Sequence, residues 1–220
     1  MIYPDEIIRS HRKTLSISID SFGRLIVRAP KRYGQERIFA FIQEKETWIL
    51  RKKAEIAGAG IRLPGESLHG YELLLLGEKY TLVLAETNRV KIDGAEKRVY
   101  LPVKNSQERL VKWLKENAKR ILTDLTEVTA AKTVASYQKV TISSARSRWG
   151  CCTQDNDIRY SYRLLFAPKE VVEYVVAHEL AHTIHKNHST AFWREVEKHV
   201  PDWKVKRKWL HTHRALMELF

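Results

Sequence analysis

His178-Glu179-Leu180-Ala181-His182 places two imidazoles four residues apart with a carboxylate next to the first. On an α-helix four residues advance by about 400° and about 6 Å along the axis, so both rings lie on one face. Two ring nitrogens, each ~2.0–2.1 Å from a metal ion, can meet there. Glu179 projects beside that ion, near the place of a bound water. In this H-E-x-x-H pattern the metal acidifies water and polarises a carbonyl, and the glutamate accepts the water's proton.

A third ligand is expected at His188, where a chain leaving the helix returns to the metal. His185 shares the helical face of His178 and His182, but His178 and His185 would stand about 10 Å apart along the axis. One ion cannot bridge that span, so His185 is expected at the helix end, its side chain on the last carbonyls. Glu195 and Glu197 are the other candidates for third ligand. Three protein ligands leave a fourth position open, as in catalytic zinc sites. Three histidines favour zinc, although affinity order alone also admits nickel, cobalt or copper. Tyr160, Tyr162, Arg146 and Arg148 are candidates for stabilising an oxyanion; packing on a half-buried strand accounts for the two tyrosines equally well.

The elements that must position these residues follow from periodicity. Leu15, Ile17 and Ile19 alternate as in a half-buried strand, and the Asp20-Ser21-Phe22-Gly23 turn leads to a second strand over Leu25 to Ala29. Helical spacing of Ile38, Phe41, Ile42, Trp48 and Ile49 predicts one helix from Glu36 to about Ala57, ended by Gly58 and Gly60. Tyr71 to Leu76 and Tyr80 to Ala85 read as a hairpin through Gly77-Glu78, and two shorter strands flank Asp93-Gly94. A long amphipathic helix follows from about Gln107 to Lys132, carrying Leu110, Trp113, Leu114, Ile121, Leu125 and Val128. Strands over Val140 to Ser143 and Ile158 to Leu164 are separated by a loop. Pro168 opens the histidine helix, where its missing N–H is harmless. Thr190 to His199 and Lys204 to Leu219 are expected to be helical.

The 220 residues, 44% hydrophobic, suit a folded globular protein rather than a disordered chain. The net charge of +13 is spread along the chain, +5 over residues 1–103 and +8 over 104–220. A spread excess favours solubility and loose attraction to polyanions without drawing a binding surface. The two cysteines, Cys151 and Cys152, are adjacent and form neither a staple nor a zinc ribbon, which fits a reducing compartment. Met1 to Leu15 lacks a signal-peptide core, and no stretch approaches the ~18 apolar residues of a membrane span. A cytoplasmic location without membrane association is expected.

Several pieces in order resemble the YgjP-like metallopeptidase family, and more distantly the SprT and WLM metalloproteases. Ser147-Arg148-Trp149-Gly150 with Cys152 is similar to that family's S-R-W-G-S-C-S segment. His178 to His182, Asn187-His188-Ser189 and Phe192-Trp193 are similar to its H-E-L-A-H…N-H-S…F-W signature, and Pro201-Asp202-Trp203 and Lys208-Trp209-Leu210 extend the likeness. Cys151 and Thr153 stand where the family usually has serine. Together with the periodicity above, the resemblance implies an α+β fold in two domains. The first, residues 1–103, would be β-rich with one helix. The second, 104–220, would be a zincin-like metallopeptidase domain with a small antiparallel sheet and the H-E-x-x-H helix. It also implies Zn2+ on His178, His182 and His188, with Glu179 catalytic. The spacing to His188 coincides with the metzincin pattern as well. There His185 replaces the expected glycine, and neither Met1 nor Met217 is placed for a Met-turn.

The expected activity is therefore zinc-dependent peptide hydrolysis on a protein or peptide substrate, one placement of which is an added strand along Ile158 to Tyr162. Two other readings compete. A metal-dependent hydrolase of nucleotides or phosphoanhydrides would suit the basic charge, but no glycine-rich phosphate cradle supports it. A nucleic-acid-associated binding module with an idle zinc would use base stacking by some of the six tryptophans and nine tyrosines amid 39 basic residues.

Overall fold

The computed structural model describes residues 2–220. It divides into two compact units, Met1–Arg62 with Thr212–Ala215 and Leu63–His211 with Leu216–Phe220. Both mix helices and small sheets, so the α+β expectation holds.

In the first unit β1 (Glu6–Ser10), β2 (Ser16–Ile19) and β3 (Leu25–Pro30) form a sheet in the order β1-β3-β2, with β1 parallel and β2 antiparallel to β3. Period-2 alternation puts Leu25, Val27 and Ala29 on one face, where Ile38, Ile42 and Ile49 meet them in a closed core. The single helix expected over 36–57 is two, α1 (Gln35–Glu44) and α2 (Glu46–Gly58). The break falls at Lys45, with φ −101° and ψ 9°, whose N–H is shared between the carbonyls of Phe41 and Ile42. Apolar periodicity survives a break of one residue, which is why the spacing conceals it.

The second unit holds a four-stranded sheet built from β4 (Glu72–Leu75), β5 (Glu78–Ala85), β6 (Lys91–Asp93) and β7 (Arg98–Pro102), in the order β4-β5-β7-β6. Compactness groups this sheet with the histidine helix; residue 103 marks a change from strand to helix inside the unit. The β4–β5 hairpin turns on Leu76 and Gly77, both at positive φ, as a two-residue hairpin turn requires. Its tip is docked: the Leu76 N–H donates to the Leu165 carbonyl at 2.8 Å.

Helix α3 (Ser106–Ala130) buries Leu110, Leu114, Ala118, Leu122 and Thr126, one residue in every four. The expected Trp113, Ile121 and Leu125 flank this stripe half-buried, and Val128 is exposed. Strands β8 (Val140–Ser143), β9 (Gly150–Cys152) and β10 (Ile158–Ser161) form the second small sheet, in the order β8-β10-β9. This sheet is mixed rather than antiparallel, because β8 runs parallel to β10. The segment expected to be a loop contributes its edge strand, β9. Inward-facing Tyr160 is fully buried and meets Thr126 of α3, hydroxyl to hydroxyl, at 3.2 Å.

A 3-10 turn over Tyr162–Phe166 leads through Pro168 into α4 (Lys169–Ile184), which is buried almost all round. It packs against α3, β9 and α5 (Thr190–His199). The oxygen of Ser189 accepts from the Phe192 N–H and caps α5. Helix α6 (Trp203–Thr212) stops short of the expected Leu219, and a 3-10 turn over Arg214–Glu218 follows.

Candidate metal centre

Helix α4 presents His178 and His182 on one face, and the chain returns after its end to bring His188 alongside. One ring nitrogen from each of the three lies within 4.8 Å of the others. Nε2 of His188 is 3.2 Å from Nε2 of His178. Nitrogens held ~2.0–2.1 Å from one tetrahedral ion are themselves ~3.3 Å apart, so this spacing suits a shared metal. Burial, reinforced by the neighbouring His182 and His188, holds the His178 pKa down to about 3, and burial lowers that of His182. Both rings are thus neutral, the form that offers a lone pair to a metal.

The shell around the rings fixes their orientation. Nδ1 of His182 donates to the backbone carbonyl of His185 at 3.1 Å, which leaves Nε2 as the free lone pair. This is how His185 serves the site: its N–H caps α4 on the Ala181 carbonyl and its carbonyl orients His182. The expected side-chain cap on the helix end is replaced by these two backbone bonds. Nδ1 of His178 is buried with no partner. Phe192, fully buried, sits 4.4 to 4.9 Å, centroid to centroid, from all three imidazoles. His188 stacks on Trp193 at 5.6 Å, and Trp193 stacks in turn on Trp203 at 4.0 Å. The segment that carries His188 is tied down by Lys186, whose Nζ donates to the Thr153 carbonyl at 2.7 Å and to Asn156.

Glu179 is 4% exposed, and its Oε2 is buried without a hydrogen-bond partner. Burial pushes its pKa up to about 8, against the opposing pull of the Arg148 guanidinium. The backbone of β9 comes so close that a Cβ at Gly150 would lie 2.6 Å from Glu179 Oε1. A glycine within a strand pattern signals such an approach. That signal stood in Trp149-Gly150-Cys151, but nothing in the sequence tied it to Glu179.

The other expected residues lie elsewhere. Glu195 pairs with Lys198 and faces His199, and neither it nor Glu197 joins the histidine cluster. Tyr160 is spent on Thr126, and the Tyr162 hydroxyl donates to the Phe220 carbonyl at 2.9 Å. Arg146 turns to Phe220 and Glu218. Of the four oxyanion candidates only Arg148 has its charge near Glu179. Strand β10 has both edges filled, by β8 and β9, so no substrate strand can join along Ile158 to Tyr162. Strand β9, which touches Glu179, is an edge strand of this sheet.

Among the described residues no helix is long and apolar enough to cross a membrane. Comparison with curated proteins and with solved structures returned no match. The model of the YgjP-like family, metallopeptidase domain, matches residues 13–213. That span takes in the three-histidine cluster, Glu179 and both small sheets of the second unit, and with it the chain belongs to the YgjP-like metallopeptidase family.

Proposed function

We propose that the protein is a zinc-dependent peptidase in which His178, His182 and His188 hold the metal and Glu179 is the general base. The observation that carries this reading is the convergence of three ring nitrogens within 4.8 Å beside a buried carboxylate whose Oε2 has no partner. Two neutral histidines and an unsatisfied carboxyl in a buried helix are costly unless a cation and a proton-carrying substrate complete them.

A zinc ion held there would supply a Lewis acid for the substrate carbonyl and a water that loses its proton near neutral pH. Glu179 takes that proton on its carboxylate and returns it to the departing amine nitrogen. Burial raises its affinity for the proton it accepts, and the positive charge of a bound metal would favour the ionised form that starts the cycle. Gly150 keeps the carboxylate against β9. A peptide laid along the free edge of β9 brings its backbone past the same carboxylate, with main-chain hydrogen bonds to the strand.

A phosphoanhydride hydrolase is the second reading, and the positive charge of Arg148 beside Glu179 favours it. The deciding experiment measures bound metals by elemental mass spectrometry in untagged protein, then cleavage of peptide pools and nucleotides. About one zinc per chain, lost in His188→Ala, with peptide cleavage abolished in Glu179→Gln, is the expected result. Zinc retained in full by His188→Ala would remove the ligand set. Cleavage of nucleotides without peptides would replace the first reading with the second.

A further inference from the structure

The outer face of the three-stranded sheet carries a group of side chains that the proposed reaction does not use. Ile158 and Tyr160 of β10 turn inward, so Arg159 emerges on the opposite face, with the buried Ser161 on the same side. Cys151 stands across from Arg159 on β9, and Ser143 across from Ser161 on β8. With Ser147 and Arg148, from the segment before β9, they line a cavity of about 290 Å³ that has no carboxylate in its wall. Neighbouring Arg146 is paired with Glu218, whereas no ion pair engages Arg148 or Arg159 among the described residues. The Arg159 Nε donates only to Thr141 Oγ1, at 3.4 Å. Arg148 and Arg159 thus line one pocket whose wall holds no carboxylate, Glu179 across β9 being the carboxyl that feels the Arg148 charge, and an incoming anion would relieve the repulsion between the two.

The pocket adjoins the reacting centre through a single strand. Gly150 touches Glu179 on one face of β9, and the next residue, Cys151, faces the pocket on the other. A chain added at the β9 edge sends alternate side chains to the two faces. When one residue lies over the histidines, its neighbour lies over the arginines. A guanidinium fork offers paired N–H donors to carboxylate or phosphate oxygens, and of the serines only Ser147 can add a hydroxyl, since those of Ser143 and Ser161 donate to the Tyr160 and Ala145 carbonyls.

We propose that this pocket binds an oxyanion group of the substrate between Arg148 and Arg159. Its source is either the carboxylate of an acidic residue beside the scissile peptide bond or the phosphate of a nucleotide. This rests on Glu179 and the three histidines being the reacting centre.

Binding without turnover tests it. Zinc-loaded Glu179→Gln protein is titrated with fluorescent peptide pools that differ only in glutamate against glutamine, and separately with ATP against adenosine. The anionic member of one pair should bind about tenfold more tightly, the worth of one charge-assisted hydrogen-bond pair. That preference should shrink as salt rises. It should fall toward unity in Arg159→Ala and in Arg148→Ala and be partly kept in Arg159→Lys. Preference within the peptide pair identifies the carboxylate, and preference within the nucleotide pair identifies the phosphate. Equal binding of both members of both pairs, or a preference untouched by both alanine variants, overturns the proposal. Because no cleavage is required, failure of the wild-type protein to hydrolyse peptides would sink the peptidase reading and leave this result standing.

Discussion

A Cβ at Gly150 would lie 2.6 Å from Oε1 of Glu179 and 2.9 Å from its Cγ and Cδ. The carboxylate is therefore held by backbone, and only the residue without a side chain permits the contact. Gly150→Ala must displace either the β9 strand or the carboxylate, while the three histidines lie off this contact. Metal content is expected to stay at the wild-type level and kcat to fall about 100-fold, the cost of a misplacement near 1 Å. Activity within twofold of wild type, with metal retained, would show that Glu179 does not need this wall.

His182 is oriented by the backbone of His185, not by its side chain. His185→Ala keeps that carbonyl and should hold zinc within about twofold of wild type, whereas Trp193→Ala removes the stacked face behind His188. Loss of a residue that orients a ligand weakens metal binding about 10- to 100-fold. Chelator competition on both variants separates these expectations. Metal lost in His185→Ala would instead make that side chain the third ligand.

The histidine pair was legible because its geometry is local: on any helix, four residues bring the two rings onto one face. His188 was legible only as a position to which the chain could return. What held it there, the Trp193–Trp203 stack and the Lys186 clamp, depends on contacts that no periodicity encodes. His185 stands at the helix end as its spacing predicts, but its acting group there is a carbonyl, which side-chain patterns do not describe. Strand β9 has three residues, too few to show alternation, so its sequence reads as a loop. The apolar pattern of β10 gave its inward face correctly but not that both of its edges were already paired, which is a property of its neighbours.

Gly77 has φ +90°, and a Cβ there would stand 3.3 Å from the Cα of Pro168, at the start of α4. Gly77→Ala meets both the backbone penalty of the left-handed region and a contact with the helix that carries His178. A loss of about 1–3 kcal/mol is expected. Gly94 is the control: a Cβ added there meets nothing within 4 Å and φ is not in that region, so Gly94→Ala should stay within ~0.5 kcal/mol. Urea midpoints at constant slope read both values. Equal effects would mean that the hairpin tip is not braced against α4.

Glu179 makes the stability of the metal-free protein depend on pH with a definite sign. Its pKa rises from 4.5 to about 8, chiefly through burial, so between those values the folded chain keeps a proton that the unfolded chain has released. The stability contributed by the protonated carboxyl is complete below pH 4.5 and is lost as pH climbs through 8. Glu179→Gln cannot ionise, so its advantage over wild type should grow across that window and level off above it at about 5 kcal/mol. His178 acts with the opposite sign, since its pKa falls from 6.5 to about 3 and its contribution is lost as pH drops. That term is common to both proteins and cancels in the difference. Zinc should narrow the gap, because a nearby cation favours the ionised carboxylate. Thermal melts of both proteins from pH 4 to 9, with and without zinc, measure it. A difference that does not change with pH would place the Glu179 carboxyl in water rather than against β9.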